Sequence, residues 1–171
     1  MIGELLFDAA TIRKRVLELG AEIEADYAGK MPMFIGILDS SAIFLSDLTR
    51  AISIPSEFDF IAVSKFAPSQ SVRFLKDTAT SIEGRHVILV EDAIDTGLTL
   101  QYVIRTLKAR GPASIEVCTL LDRPPVRRIA DIEVKYCGFK IPDTFLVGYG
   151  LDHEGRYREL PALYTLGAWQ Q

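Results

Sequence analysis

Apolar residues recur at helical spacing in three parts of the chain. The first stripe follows Asp8, which can cap a helix, and comprises Ile12, Val16, Leu19 and Ile23. The second lies between residues 39–41 and Pro55, and comprises Phe44, Leu45, Leu48 and Ile52. A third helix is predicted over residues 97–110, because a Gly-Pro stop signal follows it.

Short apolar runs separate these helices and predict strands. The main runs cover residues 33–38, 58–63, 87–90 and 115–121, with shorter extended segments at 72–75, 134–139 and 145–147. Strands without a polar face are typical of parallel sheets that are covered on both sides. The alternation of strand and helix therefore predicts an α/β fold, with a mainly parallel central sheet flanked by helices.

Polar segments follow four of these strands, after Leu38, Val63, Val90 and Leu121. In parallel α/β sheets, ligands bind beyond the carboxyl ends of the strands. We therefore expect these four segments to meet at one shared site.

The stretch over residues 87–100, VILVEDAIDTGLTL, contains the most specific chemistry. Its strand is expected to end at the acidic pair Glu91 and Asp92, and the polar turn over residues 95–99 then opens a helix. Such a turn offers free backbone N–H groups to an anion, and Gly97 permits close approach. The arrangement favours a ligand with phosphate and sugar hydroxyls. The alternative is an ordinary turn in which Asp95 is the helix N-cap.

Composition narrows the class of protein. The 171 residues are 49% hydrophobic and 25% charged, which fits one globular domain over residues 1–171. The net charge of −4 argues against nucleic acid as a partner. The two cysteines, Cys118 and Cys137, lie in apolar segments and are expected to be free thiols of a reducing compartment. We expect no signal peptide, no membrane span and a cytoplasmic location.

Three segments carry a resemblance to a known family. VEDAIDTG (90–97) resembles the phosphoribosyl pyrophosphate signature of the hypoxanthine-guanine phosphoribosyltransferases. IPDTFLVGYGLD (141–152) is similar to their purine-binding stretch, and LLDRPPVRR (120–128) also aligns. The likeness covers nearly the whole chain. It implies a type I phosphoribosyltransferase fold, with a small hood from the chain termini over the site.

The resemblance also implies a reaction. Hypoxanthine or guanine and phosphoribosyl pyrophosphate would give inosine or guanosine 5′-monophosphate and pyrophosphate, with Mg²⁺ present. The other partners implied are copies of the chain, in a homodimer or homotetramer. The chemistry is reasonable, because departure of pyrophosphate builds positive charge on the ribose and the site must stabilise the leaving group.

Site roles follow from the resemblance, position by position. Asp95 matches the general base for purine N7, and Glu91 and Asp92 match the pair near the ribose hydroxyls, where they also serve as candidate metal ligands. The phosphoribosyl-binding segment further comprises Ala93, Ile94, Thr96, Gly97, Leu98 and Thr99. Purine contacts are assigned to Arg123, Phe145, Leu146 and Asp152, with Asp152 also a Mg²⁺ ligand. Pyrophosphate contacts are assigned to Asp39, Ser40 and Arg158.

The chain departs from the family pattern at three places. Asp39 and Ser40 stand where relatives often have Lys-Gly, in a loop that usually has a non-proline cis peptide, here expected between Leu38 and Asp39. Arg123 stands where a lysine usually contacts the purine O6. The mobile lid of the family is represented by Ser64-Lys65-Phe66, in a shorter loop.

These departures keep alternatives open. The Arg123 change could shift the preference toward xanthine. The altered lid and Asp39 instead suit a degenerate homologue that binds nucleotide or phosphoribosyl pyrophosphate as a sensor. A pyrimidine or adenine enzyme is disfavoured by residues 141–152. His86 is expected to be structural, whereas His153 could line the purine pocket.

Overall fold

The computed structural model describes residues 2–64, 72–126, 129 and 132–167. The helices are α1 (Ala9–Asp26), α2 (Ala42–Arg50) and α3 (Leu98–Lys108), with a 3-10 turn over Pro124–Val126. The strands are β1 (Ile2–Phe7), β2 (Met33–Leu38), β3 (Glu57–Val63), β4 (Phe74–Lys76), β5 (His86–Ile94), β6 (Ser114–Asp122), β7 (Tyr136–Lys140), β8 (Leu146–Val147) and β9 (Leu163–Leu166).

The central sheet has the strand order β4-β3-β2-β5-β6-β7. All neighbours in it are parallel except β4, which runs antiparallel to β3. The mainly parallel α/β architecture is therefore confirmed. Because the strands are parallel, the ends of β2, β3, β5 and β6 reach the same edge of the sheet.

Helices cover both faces of this sheet. Alternate residues of a strand point to opposite sides, so one strand can pack against helices on both faces. Phe34 of β2 and Ile88 of β5 belong to the core cluster that contains the buried stripes of α1 and α2. Ile35 and Leu89, one position further along, belong to the cluster built with α3. Strands buried on both faces explain the continuous apolar runs.

The first helix forms as its sequence pattern predicts. The Asp8 side chain accepts a hydrogen bond from the backbone N–H of Thr11 at 2.7 Å, which satisfies a donor that the helix itself leaves free. The residues of the predicted apolar stripe are all buried, at Ile12, Val16, Leu19 and Ile23.

A second, three-stranded sheet has the order β1-β9-β8 and joins the two ends of the chain. It is the expected hood. Its strand β1 escaped prediction because its residues are largely exposed and show no alternation. Strand β1 exists through pairing with β9, for example Leu5 with Tyr164, and short-range patterns do not record such distant partners.

The structure corrects several element boundaries. Strand β5 continues through Glu91 and Asp92 to Ile94, so the acidic pair lies inside the strand instead of ending it. Its ladder with β6 extends to the pairing of Ile94 with Asp122. Backbone hydrogen bonds form this ladder, so polar side chains do not interrupt it. Helix α2 ends at Arg50, before Ile52, and α3 is shorter than residues 97–110.

Cys118 and Cys137 form no disulfide with each other. Within the described ranges, no helix is both long and apolar enough to cross a membrane.

Candidate active site

A cleft of about 690 Å³ opens at the carboxyl edge of the central sheet. Every residue assigned to the site from the sequence lines it, although they come from distant parts of the chain. They are Asp39, Ser40, Glu91, Asp92, Ala93, Ile94, Asp95, Thr96, Gly97, Leu98, Thr99, Arg123, Phe145, Leu146, Asp152 and Arg158. The cleft also has apolar walls that the site assignment missed, including Ile37, Ile141 and Leu151. Apolar residues carry no chemical signature in a sequence, so only their positions reveal them.

Glu91 and Asp92 bring two carboxyl groups into a poorly solvated part of the cleft. Burial, with the nearby charges of Asp92 and Asp95, raises the pKa of Glu91 well above its ordinary value. Burial also raises the pKa of Asp92, although a side-chain hydrogen bond with Ser40 opposes that rise. Carboxyl groups kept in such surroundings are typical of sites where a cation or hydroxyl donors complete the environment.

The turn after β5 lines the cleft where α3 begins. Gly97 is the N-cap, with φ of +83°, and no side chain caps the helix. Asp95 is therefore not the N-cap of α3, which corrects that part of the alternative interpretation. A helix leaves its first N–H groups without helical partners, which suits this turn to an anion. The Thr96 hydroxyl accepts only a long contact, 3.5 Å, from the Leu98 N–H.

Asp95 has a charged neighbour. The Arg123 Nη1 atom donates to the Asp95 Oδ1 atom at 2.6 Å, while the Asp95 side chain stays 58% exposed. The Arg123 Nη2 atom donates to the backbone carbonyl of Thr144. The Arg123 Nε atom is buried and has no hydrogen-bond partner among the described residues. One guanidinium thus connects the ends of β5 and β6 with the segment before β8.

Phe145 forms an exposed aromatic surface in the cleft. Its side chain is 53% exposed, whereas the neighbouring Leu146 is buried. The ring of His153 meets the Phe145 ring edge-on, with centroids 5.8 Å apart and planes at 86°. An exposed aromatic face beside polar groups is suited to a flat heterocycle. His153 supports that ring from beside the cleft.

The loop after β2 also lines the cleft, with Asp39 and Ser40. Its Leu38–Asp39 peptide bond is cis, as expected from the resemblance. The Ser41 hydroxyl donates to the Ile37 carbonyl at 2.7 Å and closes the turn. Asp39 is exposed at the rim of the cleft.

Asp152 and Arg158 form an ion pair at the same side of the cleft. Their Oδ1 and Nη2 atoms are 2.8 Å apart, and the other Asp152 oxygen accepts from the Gly155 N–H at 2.7 Å. Arg158 also donates to the Gly150 carbonyl at 2.6 Å. These contacts hold both side chains in place.

The donor set suits a magnesium ion that arrives with a ligand. Among the described residues, no three His, Cys, Asp or Glu side chains converge to hold a metal. Mg²⁺ usually takes one or two protein carboxylates and completes its shell with phosphate oxygens and water. The carboxylates of Glu91, Asp92 and Asp152, spread along one cleft, fit that mode of binding.

The lid and His86 are the two remaining assignments from the sequence. In the lid, Ser64 accepts a hydrogen bond from the Arg73 N–H at 3.0 Å. Lys65 and Phe66 lie outside the described residues. His86 begins β5, at the amino end of the sheet, and its Nδ1 atom is 2.8 Å from the Ser114 hydroxyl. That position agrees with a structural role.

Residues 4–154 match the phosphoribosyl transferase domain family. The chain is 44% identical to a hypoxanthine-guanine phosphoribosyltransferase of Mycobacterium avium, over 96% of this chain and 86% of that protein. It is 42% identical to one of Bacillus subtilis, over 96% and 93%. A crystal structure of a hypoxanthine-guanine phosphoribosyltransferase from Bacillus anthracis, with HEPES in its active site, superimposes with a TM-score of 0.94 at 37% identity, covering 98% of this chain and all of that one.

Proposed function

This chain belongs to the phosphoribosyl transferase family, and we propose that it acts in purine salvage as a hypoxanthine-guanine phosphoribosyltransferase. It converts hypoxanthine or guanine and phosphoribosyl pyrophosphate into inosine or guanosine 5′-monophosphate and pyrophosphate. The identities above 40% over nearly the full length of such enzymes support this assignment. Within the structure, the observation that carries it is the contact between Asp95 and Arg123.

That contact matches the edge of a 6-oxopurine. In such a base, the N7 nitrogen and the O6 oxygen are neighbours on one edge. Asp95 can accept a proton from N7, and Arg123 can donate to O6, because a guanidinium has donors and no acceptor. Phe145 offers its exposed face to the flat base. An acceptor and a donor 2.6 Å apart therefore suit the two atoms of the base that must be read together.

The reaction exchanges one bond at the ribose C1′ atom. The bond from C1′ to pyrophosphate breaks and the electron pair leaves with pyrophosphate, while purine N9 forms the new bond. As N9 attacks, the proton on N7 goes to Asp95, which acts as general base. The turn over residues 95–99 holds the 5′-phosphate at the start of α3, and the carboxylates of Glu91 and Asp92 accept from the ribose hydroxyls. Holding both reactants in one cleft removes much of the entropic barrier.

The pyrophosphate end falls between the loop after β2 and Arg158. The backbone at Asp39 and Ser40 contacts the leaving group, and Arg158 contributes positive charge. Asp152, or a carboxylate of the pair Glu91 and Asp92, would hold Mg²⁺ together with phosphate oxygens, and the ion would supply charge stabilisation for the leaving pyrophosphate. A single domain, a cytoplasmic location and a homodimer or homotetramer complete the proposal.

One assay tests the proposal against its alternatives. The purified protein is incubated with phosphoribosyl pyrophosphate, Mg²⁺ and one base at a time: hypoxanthine, guanine, xanthine or adenine. Nucleotide is expected from hypoxanthine or guanine. Adenine should be rejected, because its amino group would face donors, and a lost buried partner costs about 1–3 kcal/mol. Preference for xanthine would favour the alternative in which the base specificity is shifted by Arg123. Binding of phosphoribosyl pyrophosphate or nucleotide without formation of product would favour a sensor.

A further inference from the structure

The Arg123 guanidinium is the point where three separate segments of the cleft meet. Arg123 follows the end of β6. Its guanidinium donates one hydrogen bond to Asp95, after β5, and another to the carbonyl of Thr144, beside Phe145. Its side chain is only 14% exposed, so the protein encloses it far more than a surface arginine. The planar fork of a guanidinium fixes the direction of each donor, which a lysine ammonium does not.

Among the described residues, Arg123 supplies the side-chain hydrogen bond of Asp95. The carboxylate of Asp95 is 58% exposed, and its Oδ1 atom accepts this bond. An exposed aspartate samples several rotamers, and only some of them aim an oxygen at a base stacked on Phe145. Proton transfer requires the acceptor within hydrogen-bond reach of the donor.

We propose that Arg123 is a positioning residue, which fixes Asp95 relative to the purine-stacking segment through its two-sided contact with Asp95 and the Thr144 carbonyl. This inference rests on the proposed function. It goes beyond a contact with the purine O6, because Arg123 then acts on the rate through another residue. The two contacts of Arg123 thus set the position of the proton acceptor relative to the stacked base.

A double-mutant cycle separates the two roles of Arg123. Arg123→Met and Arg123→Lys are each made with Asp95 intact and with Asp95→Ala, and kcat and the purine KM are measured with hypoxanthine at saturating phosphoribosyl pyrophosphate. A contact with O6 is already made by the bound base, so its loss raises KM. Loss of positioning lowers kcat, because proton transfer occurs only in the transition state.

With Asp95 intact, Arg123→Met should lower kcat by about ten-fold or more, since small misplacements of a reacting group are costly. Arg123→Lys should recover part of kcat, because its ammonium can still donate to Asp95. In the Asp95→Ala background, Arg123→Met should change kcat by less than about two-fold, as expected when one residue acts through the other. Thermal unfolding checks that each variant folds. Arg123→Gln replaces Arg123→Met if the latter does not fold, because its amide keeps a donor for Thr144.

Equal fold-losses of kcat in both backgrounds, or a change in the purine KM alone, would overturn the positioning role and leave the proposed function intact. A wild-type protein that forms no nucleotide from hypoxanthine or guanine would overturn both. The unsubstituted chain is therefore assayed first.

Discussion

Gly150 packs directly on the backbone of Ser40: a β-carbon at Gly150 would lie 2.2 Å from the Ser40 carbonyl oxygen. Gly150 also has a φ of +100°, a conformation that other residues rarely adopt. The segment assigned to the purine thus packs against the loop assigned to pyrophosphate. The two proposed substrate regions share this contact.

Gly150→Ala should therefore impair the use of phosphoribosyl pyrophosphate. The methyl group can be accommodated only if the Ser40 loop moves, so the KM for phosphoribosyl pyrophosphate should rise more than the KM for hypoxanthine. Strain at positive φ should also lower the free energy of unfolding by about 1–3 kcal/mol. Steady-state kinetics and urea denaturation measure the two effects.

Gly29→Ala is the matched control. Gly29, which lies before β2 and away from the cleft, has a similar positive φ of +75°, but a β-carbon there would meet no atom within 4 Å. The backbone penalty of about 1–2 kcal/mol should remain, and both KM values should stay near those of the unsubstituted protein. Equal kinetic effects of the two substitutions would argue against a role for the contact with Ser40.

Asp95→Asn tests the general base. The amide keeps the size of the side chain but cannot take a proton from N7, so kcat should fall by about 10² to 10⁴-fold. The affinity for phosphoribosyl pyrophosphate, measured by calorimetry in the presence of Mg²⁺, should change little. A nearly normal kcat would remove Asp95 from the mechanism.

The double substitution Glu91→Gln with Asp92→Asn tests the ribose assignment. As acceptors for the ribose hydroxyls, the two carboxylates should matter more for the sugar substrate than for the base. The KM for phosphoribosyl pyrophosphate should rise several-fold, as expected when about 1–3 kcal/mol of charged hydrogen bonding is lost. If the purine KM alone rose, the placement of the two substrates would be wrong.

Asp39→Lys tests the rim of the pyrophosphate region. Asp39 is exposed, so we expect its backbone to serve the ligand while its carboxylate faces water. Replacing a negative charge by a positive one should tighten pyrophosphate binding by a few-fold, and the Mg²⁺ requirement should not change. A higher Mg²⁺ requirement without tighter pyrophosphate binding would instead assign Asp39 to the metal.

Asp77 provides a pH-dependent test of stability away from the site. Arg110 contacts both of its carboxylate oxygens, at 2.6 and 2.8 Å, and these hydrogen bonds lower the pKa of Asp77 below its ordinary value of 3.8. The stabilisation is thus present above pH 3.8 and is lost as the pH falls through the lowered pKa.

Asp77→Asn should therefore unfold at lower urea concentration than the unsubstituted protein at pH 7, by at most about 1 kcal/mol because the pair is half-exposed. The difference should shrink as the pH is lowered below 3.8. Asp143→Asn, at another exposed carboxylate, is the control. A difference that is constant from pH 7 to low pH would show that the charge of Asp77 is not the cause.

The sequence by itself determined the helices and strands that depend on neighbouring residues in the chain. The stripe after Asp8 became α1 because a helix repeats its inward face every three or four residues, and the cap bonds a donor three residues away. The apolar runs became β2, β5 and β6 because strands covered on both faces need no polar positions. The segment VEDAIDTG likewise carried the family resemblance in consecutive residues, and with it the candidate site residues from Glu91 to Gly97.

Tertiary structure decided the features that depend on distant partners. Strand β1 forms only against β9 at the other end of the chain, and β5 continues past its acidic pair because β6 runs alongside. The ion pair of Arg123 with Asp95 depends on the parallel order of β5 and β6, which brings two strand ends to one edge. No periodicity encodes such a contact, because it arises from the strand order and the packing of whole elements.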